Sequence, residues 1–330
     1  MTDVMQYRGD GKPPAGTEGK TFPYLADPAL VRAVNVALHL GRPLLVKGPP
    51  GSGKTRVAYS IRHELGVPLF TWYVKSTSRA RDGLYSIDMV RRLQDAQLRR
   101  REAQRITPYL RFGPLGEALR HPGRSVVLID EIDKADIDFP NDLLRELDEG
   151  RFTVEELGEK DLTDDEKKAG FRRTYGRAAS GSVDSAEAAA AGDASAPADP
   201  RPLVVITSND EKELPDAFLR RCVFAYIEFP DDVRLNRIVE VNTPGLKLDA
   251  ALVQRAIERL RALRDIEGMR KKPETSELID WIRVLHAWGV DVSALADEVK
   301  PGDLPHLEVL YKHQGDAQKL PRSAPPAATP

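Results

Sequence analysis

Cysteine occurs once in 330 residues, at Cys222, which excludes an intrachain disulfide framework and suits a reducing compartment. Neither sign of charge is in surplus: 49 lysines and arginines face 51 aspartates and glutamates. No basic field therefore advertises nucleic acid, and no acidic one advertises disorder. No apolar stretch approaches the ~18 residues a membrane helix needs, and the opening MTDVMQYRGDGKPPAG lacks the apolar core of a secretory signal. The six histidines stand apart, without H-x-x-E-H or Cys/His ligand spacing, so no zinc-type site is expected. These absences point to a soluble, cytoplasmic protein without membrane attachment.

What is present is an alternation of short apolar runs and helical patterns, long enough for one large domain and a smaller one. Residues 1–21 read as a flexible polar arm without periodicity. Asp27 is placed to cap a first helix with Pro28 at its first position, Leu30, Val31, Val34, Ala37 and Leu38 recur at helical spacing, and Gly41 ends it. Five runs follow: LLV (44–46), LFTWYV (69–74), SVVLID (125–130), LVVIT (203–207) and FAYIEF (224–229). Their near-continuous hydrophobicity predicts strands buried on both faces of a parallel sheet sandwiched by helices, an α/β domain over 22–230. The stretch 176–200 is rich in Ala, Ser, Gly and Asp and reads as a disordered loop before the fourth run. Beyond residue 231 only helical patterns remain. Leu252, Val253, Ala256, Ile257, Leu260 and Leu263 share one face, and Leu278, Trp281, Ile282 and Leu285 share another. This predicts an all-helical domain over 231–320, followed by a Pro/Ala tail at 321–330.

The loop after the first run carries the strongest chemistry. Gly48, Pro49, Pro50, Gly51, Ser52, Gly53, Lys54 and Thr55 satisfy G-x-x-x-x-G-K-[ST], the Walker A pattern. Glycines let successive backbone N–H groups turn inward around phosphate oxygens, and the following helix adds its positive end. Lys54 can reach the β- and γ-phosphates of a nucleotide, and the Thr55 hydroxyl can coordinate Mg²⁺. A carboxylate must complete such a site, and VVLIDEIDK supplies Asp130 for the metal and Glu131 as a general base toward water. An adjacent glutamate favours hydrolysis over a kinase, which needs an acceptor hydroxyl.

GPPGSGKT, VVLIDEIDK, LVVITSND and LPDAFLRRC, in this order and with a helical lid after them, resemble the AAA+ ATPases, and among these the MoxR-like ATPases of the helix-2-insert clade. The likeness spans about residues 24–320. It implies ATP with Mg²⁺ as cofactors, Asn209 as the sensor that orients the lytic water, and an arginine finger at Arg221 or Arg220 acting on a neighbouring subunit. It implies a ring, most often a hexamer, and a partner with a von Willebrand factor A domain on which the ring acts in a chaperone-like way. Tyr24 and Leu25 would lie against the adenine, and 79–113 would be the helix-2 insert. One departure stands out: Ser276 and Glu277 occupy the stretch where a sensor 2 arginine is expected, so sensor 2 stays unassigned. The run Arg99, Arg100, Arg101 lacks interleaved aromatics and reads as a solvated helix face. Two further readings stay open: a slow nucleotide-dependent switch in a bacterial defence or signalling assembly, and a nucleic-acid-stimulated motor. Cys222 reads as a small buried residue, since no histidine is placed beside it.

Overall fold

The computed structural model describes residues 6–14, 16, 19–158, 162–176 and 201–323. Apolar runs bounded by turn residues become nine strands among the described residues: β1 (Leu44–Lys47), β2 (Leu69–Tyr73), β3 (Tyr85–Ile87), β4 (Leu110–Phe112), β5 (Val126–Asp130), β6 (Arg151–Thr153), β7 (Thr174–Gly176), β8 (Leu203–Ser208) and β9 (Val223–Tyr226). Five of them form one parallel sheet in the order β2-β5-β8-β1-β9. Register brings Lys47 beside Ser208, and Ile129 beside Ile206. The carboxyl ends of the three central strands β5, β8 and β1 therefore lie side by side, where open α/β sheets collect ligands. Helices α1 (Pro28–Leu40), α2 (Lys54–Leu65) and α5 (Pro114–Arg120) pack on the sheet. The architecture is thus a parallel five-stranded α/β sheet flanked by helices. Val126, Val127, Leu128 and Ile129 are wholly buried, each gaining about 1.5–3 kcal/mol from leaving water.

The last run departs from its expected burial. Its strand ends at Tyr226 rather than continuing to 229, and Phe224 and Tyr226 face outward. β9 is an edge strand, paired on one side only by β1. Continuous hydrophobicity in sequence does not tell an edge from an interior position.

Between β2 and β5 the chain makes α3 (Ala80–Leu84), then an antiparallel β3–β4 pair with α4 (Met89–Gln97) carried between its strands. A second antiparallel pair, β6–β7, follows β5. The two pairs are joined by aromatic packing, with Phe112 and Tyr175 ring centroids 4.9 Å apart and the Arg120 guanidinium 3.8 Å from the Phe112 centroid. The loop expected at 176–200 lies outside the described residues apart from Gly176, which closes β7.

The N-terminal segment differs from the arm expected over 1–21. Tyr7 is completely buried, and its hydroxyl meets Ser60 Oγ at 2.9 Å. Glu64 on α2, itself buried, accepts the backbone N–H groups of Arg8, Gly9 and Gly11 at 2.9, 3.0 and 2.8 Å. A polar, aperiodic stretch is thereby tied down through its main chain, which leaves no side-chain pattern in the sequence.

Contacts divide the chain into two compact units. One gathers the described residues up to Phe22 with Ala26–Gly48 and Lys54–Ile227; the second gathers Pro23–Leu25, Pro49–Gly53 and the described residues from Glu228 onward. In the second unit, helices Asp232–Asn242, Ala250–Arg264 and Thr275–Ala287 share an apolar core. All ten apolar positions assigned to its last two helices are buried, and Trp281 also donates Nε1–H to the Pro305 carbonyl at 2.8 Å. Asp231 and Asp249 cap the first two helices through the N–H groups of Arg234 and Ala251.

Candidate nucleotide site

Local backbone demands explain the loop after β1. Gly51 and Gly53 have φ of +77° and +87°, the left-handed region that side chains disfavour. A Cβ on Gly51 would stand 2.7 Å from Glu274 Cβ and 3.2 Å from Ser276 Oγ, both in the second unit with it. Ser276 therefore lies beside the loop where a sensor 2 arginine was sought, and the position stays unassigned. In the same unit the Tyr24 ring is 3.3 Å from where a Gly53 Cβ would be, and the Leu25 carbonyl accepts from Arg234 Nη2 at 3.0 Å.

In the first unit, Lys54 is buried at the start of α2 and its ammonium donates to the Gly48 carbonyl at 2.8 Å. Thr55, one residue on, donates its hydroxyl to Asp130 Oδ1 at 2.9 Å. The same carboxylate oxygen accepts the Thr207 hydroxyl at 2.7 Å, and Thr207 Oγ1 in turn accepts the Glu131 N–H at 2.8 Å. Asp130 is thus fixed from two sides at the end of β5. Glu131 leaves the strand with φ +59° and ψ +54°, a left-handed conformation in a residue that is not glycine. Such conformations cost about 1–3 kcal/mol and persist where surrounding contacts over-determine them. Here the contacts are its own N–H on Thr207, Asn209 Nδ2 at 3.4 Å from Oε1, and Lys134 Nζ on Oε2.

Asn209 is positioned by its neighbour in turn. Its N–H and that of Glu211 donate to Asp133 Oδ2 at 2.9 and 3.0 Å, and Asp133 is buried. The ammonium of Lys134 is raised above its ordinary pKa, chiefly by its hydrogen bond to Glu131. The sequence thus brings Lys54, Thr55, Asp130, Glu131 and Asn209 to adjoining strand ends. Three partners escaped it: Thr207, Asp133 and Lys134. Thr207 left a signal, because a hydroxyl residue follows four apolar ones in β8 and stands on the same side as Asn209 by the two-residue period. Asp133 and Lys134 left none, since a carboxylate and an ammonium in a loop ordinarily stay solvated.

The arginine pair is split. Arg221 Nε lies 2.6 Å from Asp148 Oδ2, and its Nη1 donates to the Ala217 carbonyl at 2.9 Å. Arg220 is exposed and enters no ion pair among the described residues. Beside them, burial pushes the Cys222 thiol up to about 12, with Asp148 adding to the effect. The thiol therefore stays neutral at working pH.

The donor set suits one particular kind of metal. Among the described residues no three Asp, Glu, His or Cys gather so that they could hold a metal ion by themselves. Mg²⁺ usually takes one or two carboxylates, with water and nucleotide phosphates completing its shell, so a hydroxyl and a carboxylate at Thr55 and Asp130 fit it.

A wider comparison places the chain. The AAA domain (dynein-related subfamily) matches residues 43–222, more than half of the 330-residue chain. The protein belongs to that family. Domains of the family are generally ATPases that bind ATP, typically with Mg²⁺, and they usually assemble into rings. No curated protein matches the chain. No helix among the described residues is long and apolar enough to cross a membrane.

Proposed function

We propose that this AAA+ domain is a MoxR-like ATPase of the helix-2-insert clade, hydrolysing ATP in a ring, most simply a hexamer, to remodel or activate a protein partner carrying a von Willebrand factor A domain. One observation carries the hydrolytic part: Asp130 is held between the hydroxyls of Thr55 and Thr207 while Glu131 is turned toward Asn209. In this reading Lys54 binds the β- and γ-phosphates, and the loop Gly48, Pro49, Pro50, Gly51, Ser52 and Gly53 offers its N–H groups to them. Thr55 and Asp130 hold Mg²⁺, which when bound draws charge from the phosphates. Glu131 accepts a proton from the attacking water, and Asn209 orients that water. Arg221 or Arg220 reaches a neighbour's γ-phosphate. Tyr24 and Leu25 contact the adenine. In this reading the machine works in the cytoplasm. Nucleic acid is not expected as a partner.

The test mixes Lys54→Ala protein with Arg221→Ala protein, each nearly inactive alone. In a mixed ring, an intact phosphate loop from one chain meets an intact finger from the other, so part of the activity returns. No recovery in a mixture shown by sedimentation to co-assemble rules out Arg221, and the same experiment with Arg220→Ala then decides whether any finger acts in trans.

A second reading, a slow nucleotide-dependent switch, draws on the pairing of both Glu131 oxygens. Oε1 faces Asn209 and Oε2 is tied to Lys134, so the base is restrained. Lys134→Ala separates the readings: faster basal hydrolysis supports a restrained base, whereas a slower rate makes Lys134 part of the working site.

A further inference from the structure

Strand β8 is the middle strand of the parallel sheet, with β5 on one side and β1 on the other. The loop that leaves it, residues 209–212, is tied to both neighbours. Toward β5 the ties are several. The N–H groups of Asn209 and Glu211 donate to Asp133 Oδ2, and Lys212 Nζ donates to the Ala135 carbonyl at 2.7 Å. Toward β1 there is a single polar tie among the described residues, between Lys47 Nζ and Asp210 Oδ1.

The two ends of that tie stand beside residues of the proposed chemistry. Lys47 is the last residue of β1, and Gly48, the first residue of the Walker A loop, follows it directly. The Gly48 carbonyl accepts the Lys54 ammonium at 2.8 Å. Asp210 in turn follows Asn209 directly. A displacement of either charged residue is therefore passed through one peptide bond to the Walker A loop or to Asn209.

The backbone at Asp210 suits the contact. Its φ is +60°, in the left-handed region that aspartate and asparagine tolerate better than most residues, and its N–H donates to the buried Ser208 Oγ at 3.1 Å. This turn brings the carboxylate back beside Lys47, whose register partner on β8 is Ser208. The Lys47 side chain is 15% exposed and that of Asp210 50%, and neither enters another ion pair among the described residues. A pair so open to water adds little to folding. Its loss should be felt in the loop rather than in the fold.

We propose that Lys47 and Asp210 are a positioning pair, holding the loop that carries Asn209 against the start of the Walker A loop so that Asn209 keeps its place during hydrolysis. The inference rests on the proposed role of Asn209. Both side chains act through that residue and through Gly48, not on the reacting atoms.

Asp210→Asn removes the charge and keeps a residue at home in the left-handed region. Lys47→Met removes the cation and keeps most of the stem. Each should lower kcat about tenfold with KM for ATP unchanged, as when an interaction made only in the transition state is lost. The double variant should be no slower than either single one, because both changes remove the same interaction. Lys47→Arg, which keeps the charge, should retain most of the parent rate. All four should melt with the parent. Without nucleotide, amide hydrogen exchange at Asn209, Asp210 and Glu211 should quicken in Asp210→Asn, since the loop is then held from β5 alone, and exchange along β5 should not change.

A parent kcat in Asp210→Asn, or unchanged exchange in the loop, overturns the proposal. So do single losses that multiply in the double variant, and a fall in melting temperature that accounts for the slower rate. Asn209→Ala is assayed alongside. If it is slow while Asp210→Asn is not, the pair alone fails. If it turns over ATP at the parent rate, the role of Asn209 fails and takes this inference with it.

Discussion

The strand ends of the parallel sheet and the three-helix core of the second unit use polar groups in opposite ways. In the helical core, polar atoms serve the backbone: Asp231 and Asp249 cap helices, and the Trp281 N–H is absorbed by a carbonyl. At the strand ends, polar side chains hold one another: Thr207 grips Asp130 and the Glu131 N–H, and Asp133 grips the backbone of Asn209. Helical caps improve the fold they belong to. The strand-end network instead maintains a left-handed Glu131, a local cost that its surrounding contacts over-determine. Substitutions in the first region should therefore change stability, and substitutions in the second should change rate.

The sharpest break of that contrast is at the proposed general base. Glu131→Gln should bind ATP as the parent does and lose ~10²–10⁴ in turnover, with a melting temperature close to the parent's. A steady-state hydrolysis assay reaching the parent rate would remove Glu131 from its role. Trp281→Ala should do the reverse, costing about 3–5 kcal/mol in denaturant unfolding of the second unit, because a completely buried indole leaves a cavity. An unfolding midpoint near the parent's would mean that this core collapses around the gap.

Glu64→Ala probes a place where the contrast should blur, since a carboxylate in the first unit serves the backbone as a cap does. Three N–H groups lose their acceptor, and orphaned donors cost about 1–3 kcal/mol each when water cannot reach them. Hydrogen exchange at Arg8, Gly9 and Gly11 should accelerate, and unchanged protection would show that the segment is held by other means. Thr207→Val should lower turnover about tenfold, as expected when one buried hydrogen bond that places the proposed base is lost, and Thr207→Ser should restore it. Failure of Ser to rescue would point to packing instead. The smallest effect concerns Cys222. A thiol with its pKa raised to about 12 is neutral until well above pH 8, so alkylation by iodoacetamide should stay slow between pH 7 and 9 in the folded chain and become fast on unfolding.

Legibility followed from how each feature is made. The Walker A loop was readable as a pattern because its glycine spacing, lysine and threonine stand together after an apolar run, and Asp130 with Glu131 because two carboxylates end an apolar strand. The helical core was readable because its apolar positions recur at a single period. The N-terminal segment was not, since Arg8, Gly9 and Gly11 are held by their main chains. Thr207 was passed over because one hydroxyl in a strand weighs little beside the asparagine two residues on.

The backbone at residue 131 has a bearing on laboratory evolution. Glycine or asparagine would occupy φ +59° with less strain than glutamate does, so screening variants for heat resistance alone should reward replacement of Glu131. On the proposed role of Glu131, the survivors would be robust, well expressed and unable to turn over ATP. Any stabilisation campaign on this chain should therefore select on hydrolysis as well as on survival, or hold position 131 constant.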